Sequence, residues 1–256
     1  VDRRRLQWCL SDRHNGQWLM VDCGVTFNVP LDQEQDETVG VRRYNMVTAD
    51  ISFIANRRES LCGIVLTHAH EDHLGAVLSQ WPELQCPIYT TAFTAEVLRR
   101  KAYRAEITYE LPIVIVEPSS VLDIGPFTVE WIPTTHSIPD ANALLISTPV
   151  ARILHTGDWK IDASPVVGKG FNKSLFKQLA SQDITAMVCD STNVFSMGKA
   201  GSELDVRKSL LNIMGSLKKR IVMASFASNV ARMETAFYCA EKTGRQISLV
   251  GRSMHR

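Results

Sequence analysis

Thr67-His68-Ala69-His70-Glu71-Asp72-His73-Leu74-Gly75 stands directly behind the apolar run Leu61-Cys62-Gly63-Ile64-Val65-Leu66. The run is continuous and reads as a buried strand over 61–67. In extended backbone, residues two apart point the same way, so His68 and His70 can grip one metal ion. Asp72 and His73 fall at the start of the next turn, where they can face a second ion. Imidazole and carboxylate are ligand types that a zinc-like ion accepts. A merely solvated loop has no reason to gather three histidines and two acids into six residues.

Further ligands must then come from distant loops. His136 lies in Pro133-Thr134-Thr135-His136-Ser137-Ile138-Pro139-Asp140, behind a strand over 126–133 in which Phe127, Val129 and Trp131 alternate. Asp158 closes Ile153-Leu154-His155-Thr156-Gly157-Asp158, at the end of a strand over 151–156. Gly157 lets the backbone turn so that the carboxylate points back across two metals. Alone, a histidine or aspartate at a strand end is usually structural; the order and placement of these two make them ligand candidates. His155 reads as a strand residue packed against the sheet, and no role falls to His14 or His255.

Other strands are expected over 17–22, 113–116, 142–148 and 184–190, and helices over 91–103 and 172–181. After Asp190 the style changes. Ser191 to Gly201 is a polar loop, and Ser202 is a good N-cap with Glu203 and Asp205 in the following turn. Helix 203–216, strand 220–225, helix 229–242 and strand 246–250 then read as the beginning of a parallel α/β unit. Two strands cannot cover a core, so the chain reads as cut inside a second domain. The expected boundaries are 1–198 and 199–256.

Charge follows the same division. Residues 1–198 hold 17 basic against 23 acidic side chains, whereas residues 199–256 hold 11 against 4. The overall charge of +1 hides this change of sign, which points to an anionic partner for the second part. With 45% hydrophobic and 21% charged residues, disorder and collagen are excluded. The longest run without a charged residue, Leu84 to Ala95, has twelve residues, short of the roughly 20 that span a membrane. Val1-Asp2-Arg3-Arg4-Arg5 is basic but no apolar signal region follows. The six cysteines lie far apart with no C-x-x-C pair, which argues against a zinc ribbon and for reduced, buried thiols in a cytoplasmic protein.

Asp22, His68-x-His70-x-Asp72-His73, His136 and Asp158 together resemble the first four motifs of the metallo-β-lactamase superfamily. More narrowly, His68 to Gly75, Thr135 to Asp140, His155 to Asp158, Asp190-Ser-Thr-Asn193, Ser225-Phe-Ala-Ser-Asn229 and Val250-Gly-Arg-Ser-Met254 resemble the ribonuclease J family. The likeness runs in register from about Trp18 to the last residue; the first stretch of chain does not look like the family's usual start. It implies an α/β fold, an incomplete metallo-β-lactamase αββα sandwich followed by the start of an α/β β-CASP domain.

The resemblance also implies roles. His68, His70 and His136 would hold one Zn2+, Asp72 and His73 the other, and Asp158 would bridge both. Asp22 would brace the histidine loop. Asp190 matches the acid that opens the β-CASP insertion and joins Asp72 and Asp158 as a catalytic candidate. A later histidine of the family's insertion completes the second metal's shell, and that part is not in this sequence. Two ions about 3.5–4 Å apart imply phosphodiester hydrolysis, with Asp72 also placed to receive a proton. The implied substrate is RNA, cut from the 5′ end, internally or both. Lys218-Lys219-Arg220, Arg232, Arg245, Arg252 and Ser253 are the candidates for RNA contact. The full-length form would be a soluble, cytoplasmic protein, with homo-oligomers within its range. Two other readings stay open: a small-molecule hydrolase of the lactamase or thioesterase kind, against which the insertion from Ser191 speaks, and an inactive truncated module that binds one metal or RNA only.

Overall fold

The computed structural model describes residues 10–26 and 46–255. Contacts divide the chain into two units, Val1–Val129 and Glu130–Arg256.

In the first unit, β1 (Leu10–His14) and β2 (Gln17–Val21) form an antiparallel hairpin. Its turn residues Asn15 and Gly16 have φ of 49° and 78°, the left-handed pair whose twist matches that of the flanking strands. The short β3 (Val25–Thr26) and β4 (Val47–Thr48) pair with each other, and α1 (Ser52–Ala55) follows. The expected buried strand is β5 (Leu61–Val65), parallel to β2 with Val65 opposite Val21. Next come α2 (Glu71–Leu74), α3 (Val77–Leu84), β6 (Ile88–Thr90), α4 (Ala92–Arg104) and β7 (Ile113–Ile115). The sheet order is β1-β2-β5-β6-β7, with β5, β6 and β7 parallel. Parallel neighbours need crossovers, and the helices between them serve. Leu19, Val21, Ile64, Leu66, Leu74, Ile88 and Leu98 are fully buried, so β2 and β5 are held by apolar burial on the strands that lead into the candidate site.

β8 (Val121–Ile124) leads into β9 (Phe127–Pro133), inside which the division between the units falls. The second unit continues with β10 (Asn142–Ser147), β11 (Arg152–His155), α5 (Lys173–Leu179) and β12 (Ala186–Val188). The order of this sheet is β12-β11-β10-β9-β8. Ile132, Ala143, Leu145 and Leu154 make a core against Leu179 of α5, with Leu175, Phe176 and Ile184 at its margin. β11 and β12 are parallel, which brings their carboxyl ends, and the loops behind them, to the same edge.

The chain ends with α6 (Glu203–Ser216), α7 (Val230–Lys242) and a 3-10 turn over Arg252–His255. Ser202 caps α6 as expected, its Oγ accepting the Leu204 N–H at 3.2 Å. The two strands expected here, 220–225 and 246–250, do not form. A strand exists only with a neighbour for its backbone groups, and neither stretch has one among the described residues. Val222 and Val250 are accordingly 90% and 86% exposed. No helix among the described residues is long and apolar enough to cross a membrane.

Candidate metal centre

Most candidate residues sit just beyond the carboxyl end of a strand: Asp22 after β2, His68 and His70 after β5, His136 after β9, Asp158 after β11, Asp190 after β12; Asp72 and His73 lie on α2. Rigid strands thus end in loops that carry the polar groups.

In the first unit the histidine loop is built around Asp22, which is fully buried. Its Oδ1 accepts the Thr67 N–H at 2.8 Å, and its Oδ2 accepts the Thr67 hydroxyl at 2.8 Å and His73 Nδ1 at 2.7 Å. A carboxylate only accepts, so His73 carries a proton on Nδ1 and turns Nε2 toward Asp72 Oδ2, 3.9 Å away. The same logic fixes His68. Thr67 spends its one hydroxyl proton on Asp22, so it receives the His68 Nδ1 proton across 3.0 Å. That leaves His68 Nε2 as the donor nitrogen, 3.0 Å from His70 Nδ1.

This geometry suits a metal. With metal–nitrogen bonds of about 2.0–2.1 Å, a tetrahedral site sets its nitrogens about 3.3 Å apart. Both rings are oriented from behind by hydrogen bonds to non-ligand residues, as ligating histidines usually are. His68, His70, Asp72 and His73 are candidate metal donors on this unit.

Backbone packing holds the loop in place. The Cys23 N–H reaches His73 O at 2.6 Å, and the Ala76 N–H reaches Cys23 O at 2.9 Å. A Cβ on Gly24 would fall 1.6 Å from Asp72 O, so only glycine lets β2 and α2 approach this closely. Lys101 of α4 pairs with Glu71 of α2.

In the second unit, His136 Nε2 lies 3.5 Å from Asp158 Oδ2, and both are candidate donors. Their loops are stitched together: the Lys160 N–H donates to Thr135 O at 2.8 Å, and the Thr135 hydroxyl donates to Lys160 O. Gly157 has φ 55°, the left-handed turn expected before Asp158. His155 is buried, with Nδ1 accepting the Gly157 N–H at 3.1 Å. Asp190 accepts the N–H and hydroxyl of Thr192 at 2.8 and 2.7 Å, and its own N–H reaches Thr156 Oγ1 at 3.0 Å.

Two of the expected phosphate contacts have other work. Arg232 forks onto Glu203, Nε at 2.6 Å and Nη2 at 3.3 Å, and this pair joins α7 to α6. Arg245 donates to the carbonyls of Lys219, Met214 and Leu217, satisfying orphan acceptors at the end of α6. Lys218, Lys219, Arg220 and Ser253 are exposed; the Arg252 side chain lies outside the described residues. Sequence reasoning missed Gly24, Thr135 and Asp162. Gly24 signals itself only through what a side chain would strike, and the others act through backbone groups.

Strand-end histidines and aspartates on a sheet of this order define a class, and the family comparison names it: the chain belongs to the metallo-β-lactamase superfamily, whose model matches residues 9–222. The model described as ribonuclease J, β-CASP domain, matches residues 218–256. Among curated proteins, the chain is 42% identical over 240 residues to ribonuclease J of Sinorhizobium meliloti, covering 94% of this chain and 41% of that protein. Against ribonuclease J of Corynebacterium glutamicum the identity is 34% over 248 residues, covering 95% of this chain and 32% of that one. The chain therefore spans well under half the length of these relatives. A solved protein of unknown function from Enterococcus faecalis V583 superposes with a TM-score of 0.62 at 18% identity, covering 94% of this chain and 62% of that one. At that identity the likeness speaks for the fold alone. The metallo-β-lactamase fold and the β-CASP beginning expected from the motifs are both met, and the superfamily is a metal-dependent one.

Proposed function

We propose that this chain carries the catalytic part of a metal-dependent ribonuclease that hydrolyses phosphodiester bonds in RNA, working in the cytoplasm. The observation that carries the reading is the coincidence of two things: the donor set His68, His70, Asp72 and His73, and a chain that continues from the lactamase match straight into the ribonuclease J match. In this reading His68, His70 and His136 would hold one zinc ion, Asp72 and His73 a second, and Asp158 would be shared. We keep residues 1–198 as the metallo-β-lactamase-like part and residues 199–256 as the start of the β-CASP domain.

Metal held there would supply Lewis-acid polarisation of a phosphoryl oxygen. The chain's own residues do the rest. Asp22 fixes the tautomer of His73 directly and of His68 through Thr67. Asp72, more exposed than its neighbour His73, is placed to receive a proton at its outer oxygen. Asp190, anchored to Thr156 at the end of β11, stands as the third catalytic carboxylate. Lys218, Lys219, Arg220, Arg252 and Ser253 are the proposed contacts to the RNA backbone.

A direct comparison of substrates tests this. A 5′-monophosphorylated RNA and nitrocefin are offered to a version of the protein as long as its relatives, with and without added zinc. Zinc-dependent RNA cleavage with nitrocefin untouched is the expected result. Nitrocefin turnover without RNA cleavage would replace the reading with the small-molecule hydrolase.

A further inference from the structure

We propose that Asp162 is a positioning residue for this chemistry, tying the loop that carries Asp158 to the first turn of α6. The proposal rests on the metal-dependent reading above. It starts from a carboxylate that is 3% exposed and lies outside the donor set. Its Oδ1 accepts the Ser164 N–H at 2.9 Å, and its Oδ2 accepts the Glu203 N–H at 2.9 Å. Lys160 Nζ stands 3.3 Å from the same Oδ2. Ser202, the N-cap of α6, donates its hydroxyl to Ser164 O at 2.6 Å. The backbone of Asp162 is pinned as well, its carbonyl accepting the Phe171 N–H at 2.8 Å.

The chemistry explains why an acid stands here. A buried carboxylate is costly unless donors surround it, and the first N–H groups of a helix are donors without partners inside the helix. Burial pushes the Asp162 carboxyl up. The donors around it, among them the Glu203 and Ser164 N–H groups and Lys160, more than reverse this and hold it below the usual range. An aspartate that only filled space would not need such a set.

The position matters because of what is attached. Asp158 lies four residues before Asp162, and between them Lys160 is bonded in both directions to Thr135, the neighbour of His136. Ser137 O, just past His136, accepts the Ala231 N–H at 3.2 Å at the start of α7. Both donor loops of this unit are therefore fastened to helix starts, and Glu203 with Arg232 clamps those helices to each other. Metal–ligand distances tolerate only about ±0.2 Å. A loop released at Asp162 would present Asp158 outside that tolerance although no donor residue had been changed.

The test compares Asp162→Asn with Glu203→Gln, which weakens the α6–α7 clamp but keeps the Glu203 N–H and the loop contacts. Zinc affinity is read by competition with a chromophoric chelator, and amide exchange over residues 157–164 reads the loop itself. Asp162→Asn is expected to bind zinc at least about tenfold more weakly and to lose protection in the loop, with Glu203→Gln unchanged in both. Ser202→Ala, which removes the tie to Ser164 at the same loop-to-helix junction, should move both readouts in the same direction by less, and it decides the matter if Asp162→Asn does not fold. Equal losses in Asp162→Asn and Glu203→Gln, or no loss in Asp162→Asn or Ser202→Ala, would overturn the proposal. A wild-type protein that binds no metal at all would instead overturn the reading on which it rests.

Discussion

At Asp22 the backbone stands at φ 59°, a left-handed conformation that costs a non-glycine residue on the order of 1 kcal/mol. The cost is offset by three hydrogen bonds that the Asp22 carboxylate accepts, from the Thr67 N–H, the Thr67 hydroxyl and His73 Nδ1. Asn also tolerates positive φ, so Asp22→Asn separates the charge from the backbone. The fold should persist, while metal affinity falls about 10–100-fold, as it does when the partners behind metal ligands are removed. His68→Ala and His70→Ala act one step closer, by deleting a donor nitrogen. Each should abolish tight binding of the first metal, and metal analysis after dialysis reads it. Unchanged zinc content would remove the pair from the site. The histidine pair was legible from its spacing, but the bonds of Asp22 were not, because an isolated aspartate behind an apolar strand gives no sign of its φ or of the residues it meets.

Among the elements, those with a strong repeating pattern were legible. The helices expected over 91–103, 203–216 and 229–242 appear at Ala92–Arg104, Glu203–Ser216 and Val230–Lys242. The alternation of Phe127, Val129 and Trp131 is the buried face of β9. The short β1, β6 and β8 were not legible, although β7 and β12, equally short, stood out as apolar runs. Thiols divided in the same way. Cys86 and Cys239 are buried as expected, and burial pushes the Cys86 thiol up to about 12. Cys62 is only half-buried, since every second residue of a strand turns to its other face. Loop contacts such as those of Asp162 are invisible in sequence but have a pH signature. Its carboxyl is held below the ordinary value in the folded chain. The stability it adds is therefore complete above the unfolded carboxylate range, near pH 4, and is lost as pH falls through the lower folded value. Urea unfolding of the wild type and Asp162→Asn should differ by about 2 kcal/mol near pH 6. The gap should close as the pH drops below about 4. A gap independent of pH would mean that shape, not charge, is what the loop requires.

For the whole molecule, the relevant quantity is the distribution of charge. Residues 1–198 carry six more acidic than basic side chains, and residues 199–256 carry seven more basic than acidic. A polyanion approaching such a chain is repelled by one part and drawn to the other, and the field of the basic part sets its on-rate and salt dependence. The structure narrows which basic groups are available for this. Arg232 is held by Glu203 and Arg245 by backbone carbonyls, so replacing either would disturb the helices along with the charge. Lys218, Lys219 and Arg220 are exposed and lie just past the end of α6, where the change to alanine removes charge with little packing. If all three neutralise phosphates, single-stranded RNA binding should lose about 0.7 per contact from its log-log salt slope, about 2 in all. The triple variant should therefore bind RNA more weakly at low salt and converge on the wild type as salt rises. Its zinc content should be unchanged, because these residues lie far along the chain from every proposed ligand. Fluorescence anisotropy with an oligouridylate across a salt series reads both slope and affinity. A variant that keeps the wild-type slope would show the run to be a solvated surface, and would shift the expected RNA contacts toward Arg252 and Ser253.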